Sequence, residues 1–202
     1  MESIDKPKLQ QIYSTARSLF WKFGLKRVSI EEICRDAGVS KMTFYKHFKN
    51  KSELFIAVYD KIAEEALGKY HQIMNQDIPF TDKVKQTIQL KMEQTNEVSR
   101  ELLDDLFKNG DPEIINYIVQ KRNEGIQMIL NDYIEAQKNG DIRRDINPKF
   151  ILYFLNHMFD MAADEKLVAL YENAQDLIME LTTFFFYGIT PHQKEAEDGI
   201  QE

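Results

Sequence analysis

Basic, hydroxyl and aromatic side chains cluster between residues 29 and 51, a combination that can bind the phosphates and base edges of DNA. The lysines supply positive charge, and the serine and threonine hydroxyls supply hydrogen bonds. We therefore predict a DNA-binding surface in this segment. Its candidate contact residues are Ser29, Ser40, Lys41, Thr43, Tyr45, Lys46, His47 and Lys51.

Two short helices joined by a glycine turn are predicted to position these side chains. Ser29 is a good cap for the first helix, whose apolar residues are spaced to bury one face. Gly38 can adopt the positive φ angle that a sharp reversal requires. Ser40 can cap the second helix, which runs from about Lys41 to His47. This order of elements is typical of a helix-turn-helix, in which the second helix recognises DNA.

A helix on each side of the motif completes the predicted head. Apolar residues at steps of three and four predict a helix over residues 7–23, with Gly24 at its end. Asn50 begins another capping pattern, and the apolar spacing after it continues to about Asn75. Such a helix of about 24 residues is about 36 Å long. It would connect the head rigidly to the rest of the chain.

The run GVSKMTFYKHFKNKSEL at residues 38–54 resembles the signature of the TetR (tetracycline repressor) family of transcriptional regulators. The resemblance extends upstream through FGLKRVSIEEI at residues 23–33, so that it covers about the first quarter of the chain. Met42 stands where the family often carries a smaller residue. The family places this position against the DNA groove, so Met42 joins the candidate contacts and bears on the operator sequence. The residues that fall on the motif are Gly38, Ser40, Thr43, Tyr45, His47, Phe48 and Lys51.

The resemblance implies an all-α fold with two domains. Residues 1–50 would form a three-helix helix-turn-helix DNA-binding domain, and residues 51–190 a helical effector-binding and dimerisation domain. A flexible tail is expected at residues 191–202. Apolar spacing between turn-forming segments predicts the body helices and brings the total to about nine. These helices are expected near residues 81–99, 100–108, 112–138, 148–162 and 172–187.

The resemblance also implies a mode of action. A homodimer would place two recognition helices in successive major grooves of a double-stranded inverted-repeat operator, about 34 Å apart. The usual role in the family is that of a repressor, which a small-molecule effector releases from DNA. The partners expected for this chain are therefore operator DNA, a second copy of the chain and an effector.

The predicted body is rich in aromatic and methionine side chains, which suit a small apolar or aromatic effector. The same residue types at helical spacing also build ordinary cores, so both interpretations stay open. His157 and Asp160 lie one turn apart, but two ligands are too few for a metal site, and no metal is expected. The candidate pocket residues are Phe107, Met128, Tyr133, Tyr153, Phe154 and His157.

Two predicted helices carry a large apolar surface. The helix near residues 148–162 is apolar nearly all the way round, and the helix near 172–187 has one broad apolar face. Two such helices from each of two chains can form a four-helix bundle, whereas the alternative is that one chain covers this surface by itself. The candidate dimer-interface residues are Phe159, Leu177, Leu181, Phe184 and Phe185.

The formal charge of the chain is divided between its two parts. The whole chain carries −7, but residues 1–52 carry eleven Lys/Arg and five Asp/Glu, a net +6, which leaves −13 for residues 53–202. A basic head attracts the DNA backbone and an acidic body avoids it, so binding should be strongly salt-dependent. Neither a secretion signal nor a membrane span is apparent, so a cytoplasmic protein is expected. Cys34 is predicted to pack in the core, with a redox switch as the alternative.

Two other classes of function compete with a ligand-controlled regulator. An enzyme is disfavoured because the sequence has no phosphate-cradling glycine loop, nucleophile elbow or Cys/His cluster, so neither catalytic residues nor a cofactor are expected. A DNA-binding adaptor controlled by a protein partner, without small-molecule sensing, is the second alternative. A cavity in the body would favour sensing, and a solid core would favour the adaptor.

Overall fold

The computed structural model describes residues 5–107 and 110–191, and every regular element in these ranges is an α-helix. The all-α prediction is therefore confirmed. The helices are α1 (Asp5–Phe23), α2 (Ile30–Asp36), α3 (Lys41–His47), α4 (Lys51–Met74), α5 (Phe80–Thr95), α6 (Arg100–Phe107), α7 (Pro112–Asn139), α8 (Pro148–Ala163), α9 (Glu165–Val168) and α10 (Ala174–Ile189).

The structure departs from the predicted helices at two places. The helix predicted over 81–99 ends at Thr95, because Glu97 adopts a φ of 68°, which a helix cannot contain. The short helix α9 lies between the helices predicted near residues 148–162 and 172–187, where no helix was predicted. Asp164 caps it by accepting hydrogen bonds from the amides of Lys166 and Leu167, both at 2.9 Å.

The head is built from α1, α2 and α3 around a small aromatic core. Phe20 of α1 and Phe44 of α3 are fully buried, and Phe48 is buried beside them, so Phe44 and Phe48 pack inward. Cys34 lies in the same core, where burial raises the pKa of its thiol. The first turns of α4 close this core with Phe55.

The core of the head continues into the rest of the protein without a break. It includes Leu102 and Leu106 of α6 and Ile114 of α7. Helix α4 also runs across the predicted domain boundary at residue 50 as one uninterrupted element. The division into a DNA-binding domain at residues 1–50 and an effector-binding domain at 51–190 therefore stays a prediction. Apart from Pro191, the predicted tail lies outside the described residues.

A second core joins α5, α7, α8 and α10 in the body. Tyr133 of α7 packs against Phe185 and Phe186 of α10, with ring centroids 5.9 and 6.4 Å apart. Helix α8 begins as predicted, because the Asn147 side chain accepts a hydrogen bond from the Lys149 amide at 2.9 Å. Among the described residues, none of the helices is both long enough and apolar enough to cross a lipid bilayer.

Candidate nucleic-acid interface

Serine caps fix the starts of the two helices of the motif. The Ser29 hydroxyl accepts a hydrogen bond from the Glu32 amide at 3.1 Å, and the Ser40 hydroxyl accepts one from the Thr43 amide at 3.1 Å. The hydroxyl oxygens of Ser40 and Thr43 are also 3.0 Å apart. These three side chains therefore define the geometry of α2 and α3 before any DNA is bound.

The turn between α2 and α3 depends on Gly38. Its φ of 64° lies in the left-handed region, and the amides of Gly38 and Val39 donate to the carbonyls of Arg35 and Cys34 at 3.2 and 2.9 Å. A Cβ at this position would meet no atom within 4 Å. The requirement for glycine here is therefore one of backbone conformation and not of space.

Helix α3 presents large side chains to solvent on the face opposite Phe44. Met42 is 80% exposed and Tyr45 is 55% exposed, although both are large and partly apolar. Lys46 is exposed on the same short helix. Exposed apolar surface of this kind commonly marks a contact site, and this face is available to the major groove.

Lys41 is held by an acidic residue of the neighbouring helix. Its ammonium pairs with the carboxylate of Glu31 on α2, and this hydrogen bond raises the pKa of Lys41 and lowers the pKa of Glu31. Both side chains are exposed. A DNA phosphate would have to compete with Glu31 for this ammonium.

His47 lies at the edge of the interface. Its side chain is half-buried, its ring centroid is 6.4 Å from that of Phe48, and its Nε2 atom is buried without a hydrogen-bond partner among the described residues. His47 therefore sits between the recognition helix and the head core, and is less exposed than Met42 or Tyr45.

Lys51 has a different environment from the other candidate contacts. Its ammonium donates to three backbone carbonyls in the loop between α1 and α2, at 2.6 Å to Leu25, 3.2 Å to Lys26 and 2.7 Å to Val28. Burial lowers the pKa of Lys51, and the nearby Asp105 opposes this effect. This geometry favours a positioning role, in which Lys51 fixes the loop that leads into α2.

The loop between α3 and α4 carries an exposed cation, Lys49, that was not among the predicted contact residues. The Lys49 side chain is exposed, and its amide donates to the Glu53 carboxylate at 2.6 Å. Asn50 caps α4 by accepting from the Glu53 amide at 2.8 Å, as predicted. The capping pattern at residues 50–53 was visible in the sequence and could have indicated that this loop holds Lys49 beside α3.

Helix α6 and Ser99, the residue before it, hydrogen-bond to the head near the end of α1. The Ser99 amide donates to the Trp21 carbonyl at 2.9 Å, and the Lys26 amide donates to the Asp105 carboxylate at 2.8 Å. Gly24 has a φ of 80°, and a Cβ there would lie 2.7 Å from the Asp105 carboxylate. The α1–α2 loop is therefore hydrogen-bonded both to Lys51 of α4 and to Asp105 of α6.

The candidate pocket residues do not converge on one cavity. Tyr133 is buried in the body core, whereas Met128 and Tyr153 are exposed. The rings of Tyr153 and His157 stack on the exposed side of α8, with centroids 4.0 Å apart. Phe107 instead contacts Phe159, with ring centroids separated by 6.3 Å. The six residues thus fall into separate environments, and the proposal of a single pocket built from all of them is not supported by this arrangement.

Cavities do lie between the described helices, and one of the candidate pocket residues, Phe154, lines one of them. One is an apolar pocket of about 120 Å³ between α8 and α10, which Phe154 lines together with Phe150 and Phe184. The other is a polar cleft of about 310 Å³ where α1, α4 and the end of α5 meet, lined by Trp21 and Lys61 among others. Neither cavity was predicted, because each is formed by residues from distant parts of the sequence.

The candidate dimer-interface residues point in different directions. Leu177 and Phe185 are 1% and 5% exposed and belong to the core of their own chain, so they offer little surface to a second copy. Phe159 and Leu181 are half-buried. Phe184 is 70% exposed, because it is one helical position from Phe185 and faces away from the core. The exposed aromatic face consists of Phe150, Tyr153, Phe184 and Tyr187.

Comparison with known proteins relates the head to a family of bacterial regulators. Residues 12–58 match the family model described as "Bacterial regulatory proteins, tetR family". The chain is also 30% identical over 138 residues to YhgD of Bacillus subtilis (strain 168), an uncharacterised HTH-type transcriptional regulator. That match covers 62% of this chain and 71% of the relative.

Solved structures share the whole fold at low sequence identity. The fatty acid degradation regulator FadR from Bacillus halodurans superposes with a TM-score of 0.69 at 16% identity, over 90% of this chain and 96% of that one. A transcriptional regulator from Saccharomonospora viridis, solved in complex with choline, gives a TM-score of 0.68 at 16% identity, over 91% and 98% of the two chains. These similarities extend the match from the head to the arrangement of the body helices.

Proposed function

The chain belongs to the TetR family of DNA-binding transcriptional regulators, and from this premise we propose that it is a repressor that a small-molecule effector releases from an inverted-repeat operator. Regulators of this family are transcription factors and not enzymes. The observation that carries the proposal is the exposed face of α3, which presents Met42 and Tyr45 from a helix anchored by the buried Phe44.

We propose that base and phosphate contacts come from the exposed face of α3 and from the loops beside it. Met42 and Tyr45 face the groove, while Lys46 and Lys49 supply cations near the backbone. Lys41 reaches DNA after it leaves Glu31. Ser29, Ser40, Thr43 and His47 contribute mainly by fixing the two helices, and their contacts with phosphate are secondary.

A homodimer is proposed to form through the exposed aromatic face of α8 and α10. Four large aromatic side chains of one protomer lie on these two helices, and each is more than half exposed to solvent. A contiguous apolar surface of this kind is costly in water, and a second copy can cover it isologously. The two heads would then face DNA in a fixed relation set by the bundle.

The contact between α6 and the α1–α2 loop is the proposed route from effector to DNA. An effector that binds better to a body with α6 displaced would move Gly24 and Lys26 through Asp105, and with them the heads. Coupling of this kind is typically about 1–3 kcal/mol, which weakens operator binding roughly 5- to 150-fold. The neighbour that binds choline supports ligand sensing in this fold.

Fluorescence anisotropy with an operator located by genome-wide footprinting tests the DNA-binding part of this proposal. We expect Tyr45→Ala to weaken binding strongly while the melting temperature stays unchanged, because Tyr45 is exposed. Leu170→Ala, which also truncates a large exposed side chain but lies just after α9, is the matched control for DNA contact. Equal operator affinity for wild type and Tyr45→Ala would contradict the assignment of this face.

A screen of compounds against the complex tests the regulatory part. Ligand release predicts that at least one compound class lowers operator affinity and raises the melting temperature of the free protein. The adaptor alternative predicts that a protein partner, and no small molecule, changes operator binding.

A further inference from the structure

Two cations from different helices lie against one aromatic ring in the middle of the body. The Lys91 ammonium of α5 is 6.0 Å from the centroid of the Phe159 ring of α8, and the Arg122 guanidinium of α7 is 5.0 Å from the same centroid. Each geometry is within the range of a cation–π contact. Three helices therefore bring two cations within contact distance of one aromatic ring.

Neither cation is neutralised by an acidic side chain of the described protein. Lys91 makes no hydrogen bond or ion pair with any residue in the described ranges, and burial alone lowers the pKa of its ammonium. Arg122 makes two long hydrogen bonds, both 3.4 Å, to the side chain of the adjacent Asn123. Asp60 is already engaged by the Tyr117 hydroxyl at 2.6 and 2.7 Å.

An unsatisfied polar group lies on the same face of α8. The side-chain oxygen of Asn156, one turn before Phe159, is buried without a hydrogen-bond partner among the described residues. On another side, Phe107 contacts the Phe159 ring. The Asn156 oxygen is an acceptor and calls for a donor, whereas a cation that is deprived of water costs free energy unless an anion satisfies it. The two cations without an acidic partner therefore point to a ligand of opposite charge.

Building on the proposed sensing function, we infer that the effector is an organic carboxylate whose charged end binds between Lys91 and Arg122 beside Phe159. A guanidinium binds a carboxylate through two parallel hydrogen bonds, and the ammonium adds a second positive charge. The rings of Phe107 and Phe159 contact the apolar body of the ligand. A cationic ligand such as choline is repelled from this site.

The first experiment measures ligand binding to the full-length protein. The probes are linear carboxylates from butyrate to tetradecanoate, with the matching uncharged alcohols and choline as controls. At least one carboxylate should raise the melting temperature and bind with measurable heat, and the alcohol of equal length should bind about tenfold more weakly or worse. If no carboxylate binds, or if alcohol and carboxylate bind equally, the inference is wrong.

Matched variants assign the charge recognition to these two residues. Lys91→Gln and Arg122→Gln should each weaken carboxylate binding about tenfold or more, since each removes a charged hydrogen-bond partner. Lys85→Gln, on the exposed side of the same helix as Lys91, should leave it unchanged. Wild-type affinity in both pocket variants would overturn the inference.

A chemical readout on the wild-type protein covers the case in which a variant fails to fold. Lys91 should be acetylated by a limiting amount of reagent more slowly when the bound carboxylate is present, as measured by mass spectrometry, while Lys85 is unaffected. Equal labelling of Lys91 with and without a bound carboxylate would place the ligand elsewhere and overturn the inference.

Operator binding separates this inference from the proposed function. Release of the operator by an alcohol or by choline, with no carboxylate bound, overturns the inference and leaves ligand release standing. Carboxylate binding at Lys91 that leaves operator affinity unchanged overturns the identification of the effector and, with it, the proposed release.

Discussion

Replacing Lys51 by methionine separates a positioning role from a DNA contact. In the structure the Lys51 ammonium donates to the carbonyls of Leu25, Lys26 and Val28. Methionine keeps the apolar stem but removes all three hydrogen bonds. The α1–α2 loop would lose the group that ties it to α4. The start of α2 at Ser29 would move with the loop.

The expected loss of stability follows from these three bonds. A hydrogen bond to a charged group contributes about 1.5–3 kcal/mol, but the Lys26 carbonyl is in an exposed residue and can bind water instead. Part of the remainder is offset because burial already penalises the ammonium. We therefore expect Lys51→Met to lower the free energy of unfolding by about 2–4 kcal/mol, or the melting temperature by roughly 5–15 °C.

Thermal denaturation and salt-dependent anisotropy, measured on the same preparations, test this expectation. Lys46→Met is the matched control, because Lys46 is exposed on α3. It should leave the melting temperature nearly unchanged but reduce the slope of log affinity against log salt by about 1. If Lys51→Met instead shows the Lys46→Met pattern, with stability intact and the salt slope reduced, the ammonium binds phosphate in the complex and the positioning argument is wrong.

Further predictions concern the junction, the interface and the buried lysine. In urea denaturation, Gly24→Ala should lower the free energy of unfolding by about 2–3 kcal/mol and Gly38→Ala by about 1 kcal/mol. Both glycines have positive φ, but only a Cβ at Gly24 would crowd Asp105. Equal losses for the two variants would contradict this. Phe184→Asp should yield a folded monomer in sedimentation velocity, and an unchanged dimer would place the interface elsewhere. Lys91→Met should stabilise the protein by about 1–2 kcal/mol at neutral pH. Because folding lowers the pKa of Lys91, the folded wild-type protein binds fewer protons than the unfolded chain at high pH. The stability gained by Lys91→Met should therefore shrink as the pH rises towards the pKa of free lysine. A gain that does not depend on pH would argue against an ammonium that is deprived of water.

The helices and their caps were predictable because their signals are local. Ser40 and Asn50 cap the helices that their sequence context predicted. The prediction failed at Glu97, where a residue other than glycine adopts a positive φ that no local pattern encodes. Helix α9 was missed because four residues are too few for an apolar periodicity.

The surfaces of the body were less predictable because they depend on packing between distant segments. An apolar helix face shows that burial is needed but not which chain provides it, so Phe185 and Phe184 looked equivalent in sequence although one is buried and the other exposed. Lys91 and Arg122 both contact the Phe159 ring, but the three residues lie on three different helices, and no spacing in the sequence links them. For the same reason the sequence could not show that the Lys51 ammonium donates to the carbonyls of Leu25 and Val28.

The central claim is that a twofold dimer places two α3 helices on an inverted repeat, and operator spacing tests it most directly. Anisotropy should be measured on the natural operator and on one with about 5 bp inserted between its half-sites, which rotates one half-site by about half a helical turn. We predict two protomers per natural operator and a loss of affinity of roughly 100-fold or more for the expanded one. Equal affinity for both fragments, or for a single half-site, would contradict the account.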